Sequence, residues 1–283
     1  MGINFIQADA NLFAIYQTMY SNADVEMWYD WERRLGDTKW TEQCYFVIEN
    51  GQKIGGVIVT DDSIMYPFTI LPFCDRIRFW RLILDQYQRP KINGVLEPDS
   101  AILPMFSYKA VDTNQVMCRP ADLIDRRLPN GFICREIDMN KEADEIGNAI
   151  LKGFSGEIDS EIHGEATLDF AIEDARRVIN IYEPKNLSHV VVESISNKIV
   201  GVCLAGIGKN YTHGYVEIAD ICVLPKYRGR GLAKYMISRI VTQAYGIAPF
   251  VKLLVTIGNN SEYLYRQLGF IAGPRFTNMV RRS

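Results

Sequence analysis

The clearest pattern of hydrophobic and polar positions lies in residues 216–246. Residues 218–224 are mainly apolar and β-branched, which predicts a strand, and Pro225 ends it because proline cannot donate to a sheet. A helical pattern follows, and its apolar positions recur at the spacing of one helix face: Ala233, Met236, Ile237, Ile240, Val241 and Ala244. This stretch therefore predicts a strand, a turn and an amphipathic helix that stops at Gly246.

Alternating and periodic patterns predict further strands and helices in both halves of the chain. In the first half they predict helices at 11–20, 25–35 and 76–87, strands at 45–49, 53–60 and 65–71, and extended chain near 95 and over 109–119. In the second half they predict strands at 132–137, 189–194, 198–207 and 253–257, and helices at 141–154 and 167–182. This mixture indicates an α/β chain of α+β character, in which sheets are flanked by helices.

Two short similarities indicate that the halves are copies of one another. The sequence QKIGGV at 52–57 matches NKIVGV at 197–202, and TNQVM at 113–117 matches TNMV at 277–280. A repeat of this length is typical of duplicated domains, although a chance resemblance of two hairpins is the alternative. The segment 120–131 has prolines near both ends and charges between them. It is the best candidate linker, and we predict domains at 1–125 and 126–283.

The turn at Arg228-Gly229-Arg230-Gly231 has the features of an anion site. Glycines allow a sharp turn and let a ligand approach the main chain closely. The first N–H groups of the following helix have no partner within the helix, and the helix dipole adds partial positive charge there. Such a turn suits a pyrophosphate, and a solvated basic turn is the alternative interpretation.

Two motifs in the second half resemble a known family. Arg228-x-x-Gly231-x-Ala233 resembles the R/Q-x-x-G-x-G/A signature of the GNAT superfamily of acyl-CoA-dependent N-acyltransferases. The sequence GNNSEYLYRQLGF at 258–270 resembles the family's N-x-x-A-x-x-L-Y-x-x-L-G-F block, with Tyr265 at the tyrosine position. The resemblance covers about residues 131–283. Together with the repeat, it indicates a tandem GNAT chain.

The resemblance implies two GNAT-like domains, each with a mixed, mostly antiparallel, twisted sheet flanked by helices. It also implies acetyl-CoA as the co-substrate, with its pyrophosphate on the glycine turn and its pantetheine arm along the preceding strand. Asn260 is included among the contacts, although the family's asparagine position is Gly258 in this chain. The cofactor-binding residues that the resemblance implies are Ile221, Cys222, Val223, Arg228, Gly229, Arg230, Gly231, Leu232, Ala233 and Asn260.

The reaction that the resemblance implies is direct transfer of an acetyl group to an amine, which needs a base and an acid. The base must remove a proton from the ammonium before nitrogen can attack. Glu217 and Asp220 are the candidates, and a regular strand would put them on opposite faces unless a bulge intervenes. We expect Glu217 to be the base, because it resembles a glutamate that some relatives use, and Tyr265 to protonate the departing thiolate. The alternative interpretations are that Glu217 is a surface carboxylate of the strand and that Tyr265 is an aromatic residue that packs its helix.

The first half lacks a comparable turn. No glycine occurs between Gly56 and Gly94, and the corresponding segment at 72–80 contains Asp75, whose charge would repel a pyrophosphate. We therefore predict a degenerate first copy that does not bind coenzyme A. In the second half the segment 155–165 is acidic, which either attracts a cationic amine or marks a solvated loop. Its acidic residues are Glu157, Asp159, Glu161 and Glu165.

Composition narrows the partners and the compartment. The formal net charge of -3 gives no general attraction for nucleic acid. The six cysteines are scattered without a C-x-x-C pair, which argues against a zinc site or a disulfide framework and suits a reducing cytoplasm. No apolar run is long enough for a membrane helix. We expect a cytoplasmic enzyme that uses no metal and binds neither nucleic acid nor membrane, and a homodimer is an open alternative for its assembly.

These observations favour an N-acetyltransferase that acts on a small-molecule amine. One alternative is a sensor that binds acyl-CoA without catalysis, and another is a protein or peptide N-acetyltransferase. An intact Tyr265 favours the enzyme over the sensor.

Overall fold

The structure, a computed structural model, describes residues 2–20, 43–208 and 215–282. The predicted helix at 25–35 lies outside these residues. The chain divides into two compact units, which we call unit 1 (Met1–Val116 with Gly273–Ser283) and unit 2 (Met117–Ala272). Secondary-structure elements are numbered in chain order over the described residues.

Unit 1 is built on a sheet, and its described residues form three helices. The strands are β1 (Ile3–Gln7), β2 (Cys44–Glu49), β3 (Gln52–Val59), β4 (Ser63–Thr69), β5 (Lys91–Leu96), β6 (Tyr108–Pro120) and β13 (Ile271–Arg281). The helices are α1 (Ala10–Tyr20), α2 (Arg76–Gln86) and the short α3 (Asp99–Ile102). The strands follow the order β1-β2-β3-β4-β5-β13, and only the β4–β5 pair among these is parallel.

Unit 2 is also built on a mixed, mostly antiparallel sheet. Its strands are β7 (Phe132–Glu136), the two-residue β8 (Tyr182–Glu183), β9 (His189–Glu193), β10 (Ile199–Gly208), β11 (Tyr215–Val223) and β12 (Phe250–Thr256). Its helices are α4 (Met139–Phe154), α5 (Ile158–His163), α6 (Leu168–Ile181), α7 (Leu232–Ala244) and α8 (Ser261–Gln267). The strand order is β7-β9-β10-β11-β12, and only β11–β12 is parallel.

The two units have the same connectivity. Each has an edge strand, then an antiparallel hairpin, a third antiparallel strand, a crossover helix and a final parallel strand. Strands β1–β5 with α2 thus correspond to β7, β9–β12 with α7. A crossover is required because parallel neighbours cannot be joined by a tight turn. The predicted fold class of two similar mixed sheets flanked by helices is confirmed.

The predicted amphipathic helix is α7, and its apolar stripe lies in the core of unit 2. Met236, Ile237, Ile240, Val241 and Ala244 are all buried, and α7 packs against β10, β11 and β12. Burial of this face therefore holds α7, together with its N-terminal end, against the sheet of unit 2. The predicted linker at 120–131 has no regular structure, and it runs along this helix through hydrogen bonds from Asp122 and Ile124.

Two elements differ from the sequence-based expectation. The acidic segment contains a helix, α5, where the sequence pattern indicated a loop. The last strand, β13, pairs with β5 and belongs to unit 1, and the boundary between the units falls within β6 rather than at 125. The two similar end segments are neighbours in unit 1, where the hydroxyl oxygens of Thr113 and Thr277 lie 3.1 Å apart. None of the described helices has the length and apolar character that a membrane span requires.

Candidate active site

The parallel strands β11 and β12 pair only over their first halves. Their register runs from Tyr215 with Phe250 to Ile218 with Leu253, although β11 continues to Val223 and β12 to Thr256. Beyond this point the backbone of β11 faces an opening rather than a neighbouring strand. Main-chain N–H and C=O groups need hydrogen-bonding partners, so an extended ligand in the opening would find them unpaired on this edge.

A bulge lies where the two strands separate. The register of β10 with β11 shifts between Leu204, opposite Asp220, and Ala205, opposite Ile218, which leaves Ala219 as the extra residue. An extra residue reverses the alternation of side chains beyond it. Glu217 and Asp220 therefore lie on the same face of the sheet, towards α6, as the electrostatic effect of the α6 residues on Asp220 also indicates.

The glycine turn leads directly into the N-terminus of α7. Gly229 and Gly231 have φ angles of +75° and +83°, in the left-handed region that favours glycine. A Cβ at Gly229 would meet no atom within 4 Å, so the space beside the turn is open. Gly231 is the N-cap of α7 and offers no side-chain cap, which leaves the first N–H groups of this helix available to an anion.

Arg228, which the sequence assigned to cofactor binding, contacts protein groups with all three guanidinium nitrogens. Its Nε donates to the carbonyl of Val223 (3.1 Å) and its Nη2 to that of Gly153 (2.8 Å). Its Nη1 is paired with the carboxylate of Glu157, which precedes α5. Arg228 thus joins the end of β11 to the end of α4 and the start of α5. This arrangement indicates that its guanidinium positions the turn.

Three adjoining cavities follow the opening. The turn cavity, about 400 Å³, is lined by Gly229, Gly231 and the first residues of α7. The strand cavity, about 450 Å³, is lined by Ile221–Val223 and Asn260, and it shares Val223, Arg228, Gly229, Ala233 and Leu264 with the turn cavity. The acidic cavity, about 580 Å³, shares Phe154, Ile221, Asn259 and Tyr265 with the strand cavity. A long ligand at the turn can therefore reach the acidic cavity along β11.

Tyr265 stands between the strand cavity and the acidic cavity, and it lines both. It lies on α8, is 7% exposed, and packs against Phe270 with ring centroids 6.0 Å apart. Burial raises the pKa of the Tyr265 hydroxyl to about 12, against an opposing effect of the Ser261 side chain. The hydroxyl is therefore protonated at neutral pH, as a proton donor must be.

Asp220 and Glu217 have different surroundings, although they share a face. Glu217 accepts a hydrogen bond from the hydroxyl of Tyr182 (2.6 Å) and lies 3.5 Å from Nζ of the buried Lys252. Asp220 lines the acidic cavity, which Glu217 does not, and within the described chain its carboxylate makes no hydrogen bond. Burial, together with the charges of Asp174 and Glu217, raises the pKa of Asp220 to about 6, while Arg177 opposes the shift.

The remaining predicted cofactor residues occupy different environments. Ile221 and Val223 line the strand cavity, as does Cys222, whose thiol is directed to the carbonyl of Ala149 (3.5 Å). Burial raises the pKa of Cys222 to about 12, so this thiol is not a ready nucleophile. Arg230 lies over the ring of Tyr227 (5.3 Å), and Leu232 is buried at the start of α7. The backbone of Leu232, Ala233 and Lys234 contributes the free N–H groups of this helix end.

The acidic segment contributes part of the wall of the acidic cavity. Asp159 and Glu165 line it, whereas Glu157 is paired with Arg228 and Glu161 lies outside the lining. The sequence analysis did not identify Asp174 on α6, which also lines this cavity. Asp174 lies at the margin of the buried face of α6, one turn before the buried Val178, and an acidic residue at such a position carried no signal of a site. Within the described chain, no group of three or more potential metal ligands is gathered.

Unit 1 has different residues at the corresponding places. A carboxylate oxygen of Asp75 accepts a hydrogen bond from the backbone N–H of Arg78 and so caps the N-terminus of α2. The pairing of β4 with β5 ends at Met65 and Asn93, and the ring of Tyr66 then lies against Gly94, within 2.5 Å of where a Cβ would be. A side-chain anion thus occupies the helix end, and an aromatic ring occupies the opening between the strands.

Comparison with known proteins agrees with this geometry. Residues 185–272 match the model of the acetyltransferase (GNAT) domain, and this range contains β9–β12, the glycine turn, α7 and Tyr265. This segment of unit 2 is therefore similar to a GNAT acetyltransferase domain, as the sequence motifs indicated. No curated protein matches the chain significantly.

Solved structures resemble the chain over its whole length. A GCN5-related N-acetyltransferase from Sphaerobacter thermophilus is 17% identical, with 99% of this chain and 96% of that one covered and a TM-score of 0.70. A tandem GNAT protein from the clavulanic acid biosynthesis pathway is 11% identical, with 98% of each chain covered and a TM-score of 0.57. A GNAT-family acetyltransferase from Colwellia psychrerythraea is 12% identical, with 100% of each chain covered and a TM-score of 0.58. At these identities the likeness shows a shared fold.

The contacts of Arg228 predict a local effect of replacing it. Arg228→Met should loosen the segment 155–165, because three hydrogen bonds to the neighbouring backbone and to Glu157 are lost. The partly exposed guanidinium limits the loss to about 1–2 kcal/mol, so amide hydrogens of this segment should exchange roughly 5–30-fold faster. Hydrogen exchange read by mass spectrometry measures this. Arg230→Met is the matched control, and equal exchange in both variants would contradict the positioning role.

Proposed function

We propose that unit 2 transfers an acetyl group from acetyl-CoA directly to the amine nitrogen of a small molecule. The observation that carries this proposal is the series of three adjoining cavities, which runs from the free N-terminus of α7 along β11 to Tyr265 and Asp220. The GNAT domain assigned to residues 185–272 supports acyl transfer as the reaction class.

The residues at the turn fit the phosphates of acetyl-CoA. The uncapped N–H groups of α7 and the positive φ angles of Gly229 and Gly231 provide an anion cradle that no side chain fills. Ile221–Val223 offer an extended backbone edge to an arm that carries amide groups. When bound, acetyl-CoA would supply the acetyl group as a thioester.

Asp220 is the base that we prefer, in place of Glu217. Its carboxylate lines the acidic cavity and is raised in pKa, so it can accept a proton from an ammonium near neutral pH. Glu217 is instead engaged by Tyr182 and Lys252. The freed nitrogen lone pair then attacks the thioester carbonyl carbon, and a C–N bond forms as the C–S bond breaks.

Two further groups of the chain complete the transfer. Backbone N–H groups of β11 near Ile221–Val223 would polarise the thioester carbonyl, whose oxygen gains negative charge as nitrogen attacks. The neutral hydroxyl of Tyr265 would donate its proton to the departing thiolate. The proton that Asp220 takes returns to solvent, which restores the starting state once the tyrosine is reprotonated.

The first expected result concerns binding and its stoichiometry. Calorimetry should detect one acetyl-CoA per chain, because unit 2 alone has an open turn among the described residues. Gly231→Trp should weaken binding at least about tenfold by filling the turn cavity. Gly246→Trp is the control, since Gly246 lies at the other end of α7 with a similar φ of +89° and no atom near its Cβ position. Two sites per chain, or one site that survives Gly231→Trp, would contradict the assignment of acetyl-CoA to unit 2 alone.

The second expected result separates the two candidate bases. Asp220→Asn should lower kcat by about 10²–10⁴-fold, whereas Glu217→Gln should have a much smaller effect. The base works when deprotonated, so kcat/KM of the wild type should fall as pH drops below the Asp220 pKa of about 6. Glu217→Gln should keep this limb but move it to lower pH, because the Glu217 charge contributes to raising the Asp220 pKa. Steady-state rates between pH 5 and 9, with circular dichroism to verify folding, test this. A larger loss in Glu217→Gln than in Asp220→Asn would reverse the assignment.

The third expected result distinguishes an enzyme from a sensor. Tyr265→Phe keeps the ring against Phe270 but removes the hydroxyl, so kcat should fall about 10²-fold or more while acetyl-CoA affinity is retained. Tyr263→Phe, on the same helix with Tyr263 70% exposed, should be unchanged. A sensor would bind acetyl-CoA yet release no thiol with any amine. A protein acceptor would show release with peptides but not with small amines.

A further inference from the structure

The acidic cavity has features that restrict which amine it accepts. Its volume of about 580 Å³ suits a small molecule. Three large apolar side chains form part of its wall: Phe154, Phe170 and Leu254. Phe170 is 61% exposed and Leu254 is 51% exposed, so both retain apolar surface that a ligand can cover. An apolar or aromatic portion of the acceptor would gain by burying this surface.

The wall is rich in carboxylates. Asp159, Glu165, Asp174 and Asp220 line the cavity together with His163, and its described lining contains neither lysine nor arginine. Asp174 is paired with Arg177, which is outside the lining. Asp159 accepts a hydrogen bond from Thr256, and Glu165 accepts from Ser155 and the backbone of Gly156, so both are held by uncharged donors.

This arrangement favours one class of amine over another. An ammonium group attached to an apolar body would meet the carboxylates of Asp159 and Glu165, which no described lysine or arginine pairs with, and its body would cover Phe170 and Leu254. A carboxylate on the acceptor, as in an amino acid, would be brought close to Asp159 and Glu165 in a partly desolvated space whose described lining offers it no lysine or arginine. Such a like-charge contact is unfavourable, so acceptors that carry a carboxylate would bind more weakly than amines without one.

We propose that the acceptor is a cationic amine on an apolar body that carries no carboxylate. This inference rests on the acyl transfer proposed above, and it takes the acidic cavity as the binding site of the acceptor amine. The apolar body packs on Phe154, Phe170 and Leu254, the ammonium lies towards Asp220, and Asp159 and Glu165 exclude acceptors that carry an acid group.

Matched substrates test the inference. Phenethylamine and phenylalanine differ only in a carboxylate, as do cadaverine and lysine. Thiol release from acetyl-CoA should give kcat/KM at least about tenfold higher for each decarboxylated amine than for its amino acid. The double variant Asp159→Asn with Glu165→Gln keeps an oxygen acceptor for each of the three hydrogen bonds but removes both charges, so it should reduce this ratio at least about threefold. Glu161→Gln, on the same helix but outside the lining, should leave the ratio unchanged.

A binding measurement separates this inference from the acyltransferase proposal. Calorimetry with phenethylamine and phenylalanine, on protein saturated with coenzyme A, needs no turnover. Binding of phenethylamine but not of phenylalanine, without thiol release, would support the cavity assignment and contradict acyl transfer. Three results would overturn the inference. They are equal use of amine and amino acid, a ratio that the double variant does not change, and a failure of phenethylamine to bind.

Discussion

The separation of β11 from β12 beyond Ile218 and Leu253 is the constraint on which the rest of the site depends. Two parallel strands that stay paired would satisfy each other's backbone groups and leave no room between them. Here the bulge at Ala219 coincides with the end of the pairing, and the two strands diverge. This opening exposes the edge of β11, and its two ends are marked by the glycine turn and the acidic cavity.

The site is held together by contacts that cross between elements. Arg228 joins β11, α4 and the start of α5, and Thr256 on β12 donates to Asp159 on α5. The wall of the acidic cavity is thus tied to both strands that form the opening. Because the same arginine adjoins the glycine turn, the turn and this wall are parts of one hydrogen-bonded framework.

The two units show how one fold keeps or loses this opening. Both have the same strand order and a crossover helix before the last parallel strand. Unit 2 has glycine at the N-cap of its crossover helix, whereas unit 1 has a carboxylate cap from Asp75 and an aromatic ring, Tyr66, where its strands diverge. Both differences stabilise unit 1 without a ligand. Asp75 accepts a hydrogen bond from a backbone N–H at the helix N-terminus, and the ring of Tyr66 packs against Gly94 where the strands diverge.

The sequence by itself determined the elements and the turn. Periodicity predicted α7 and its buried stripe, and alternation predicted the hairpins, because these signals depend on local spacing. The glycine motif and Tyr265 indicated a candidate site in unit 2 through their resemblance to the GNAT family. Tertiary structure decided the rest. The bulge that brings Glu217 and Asp220 to one face arises from pairing with β10, and the choice between them depends on Tyr182 and Lys252, which are distant in sequence. The placement of β13 in unit 1 and of Asp174 beside the cavity likewise depends on long-range packing, which no local pattern records.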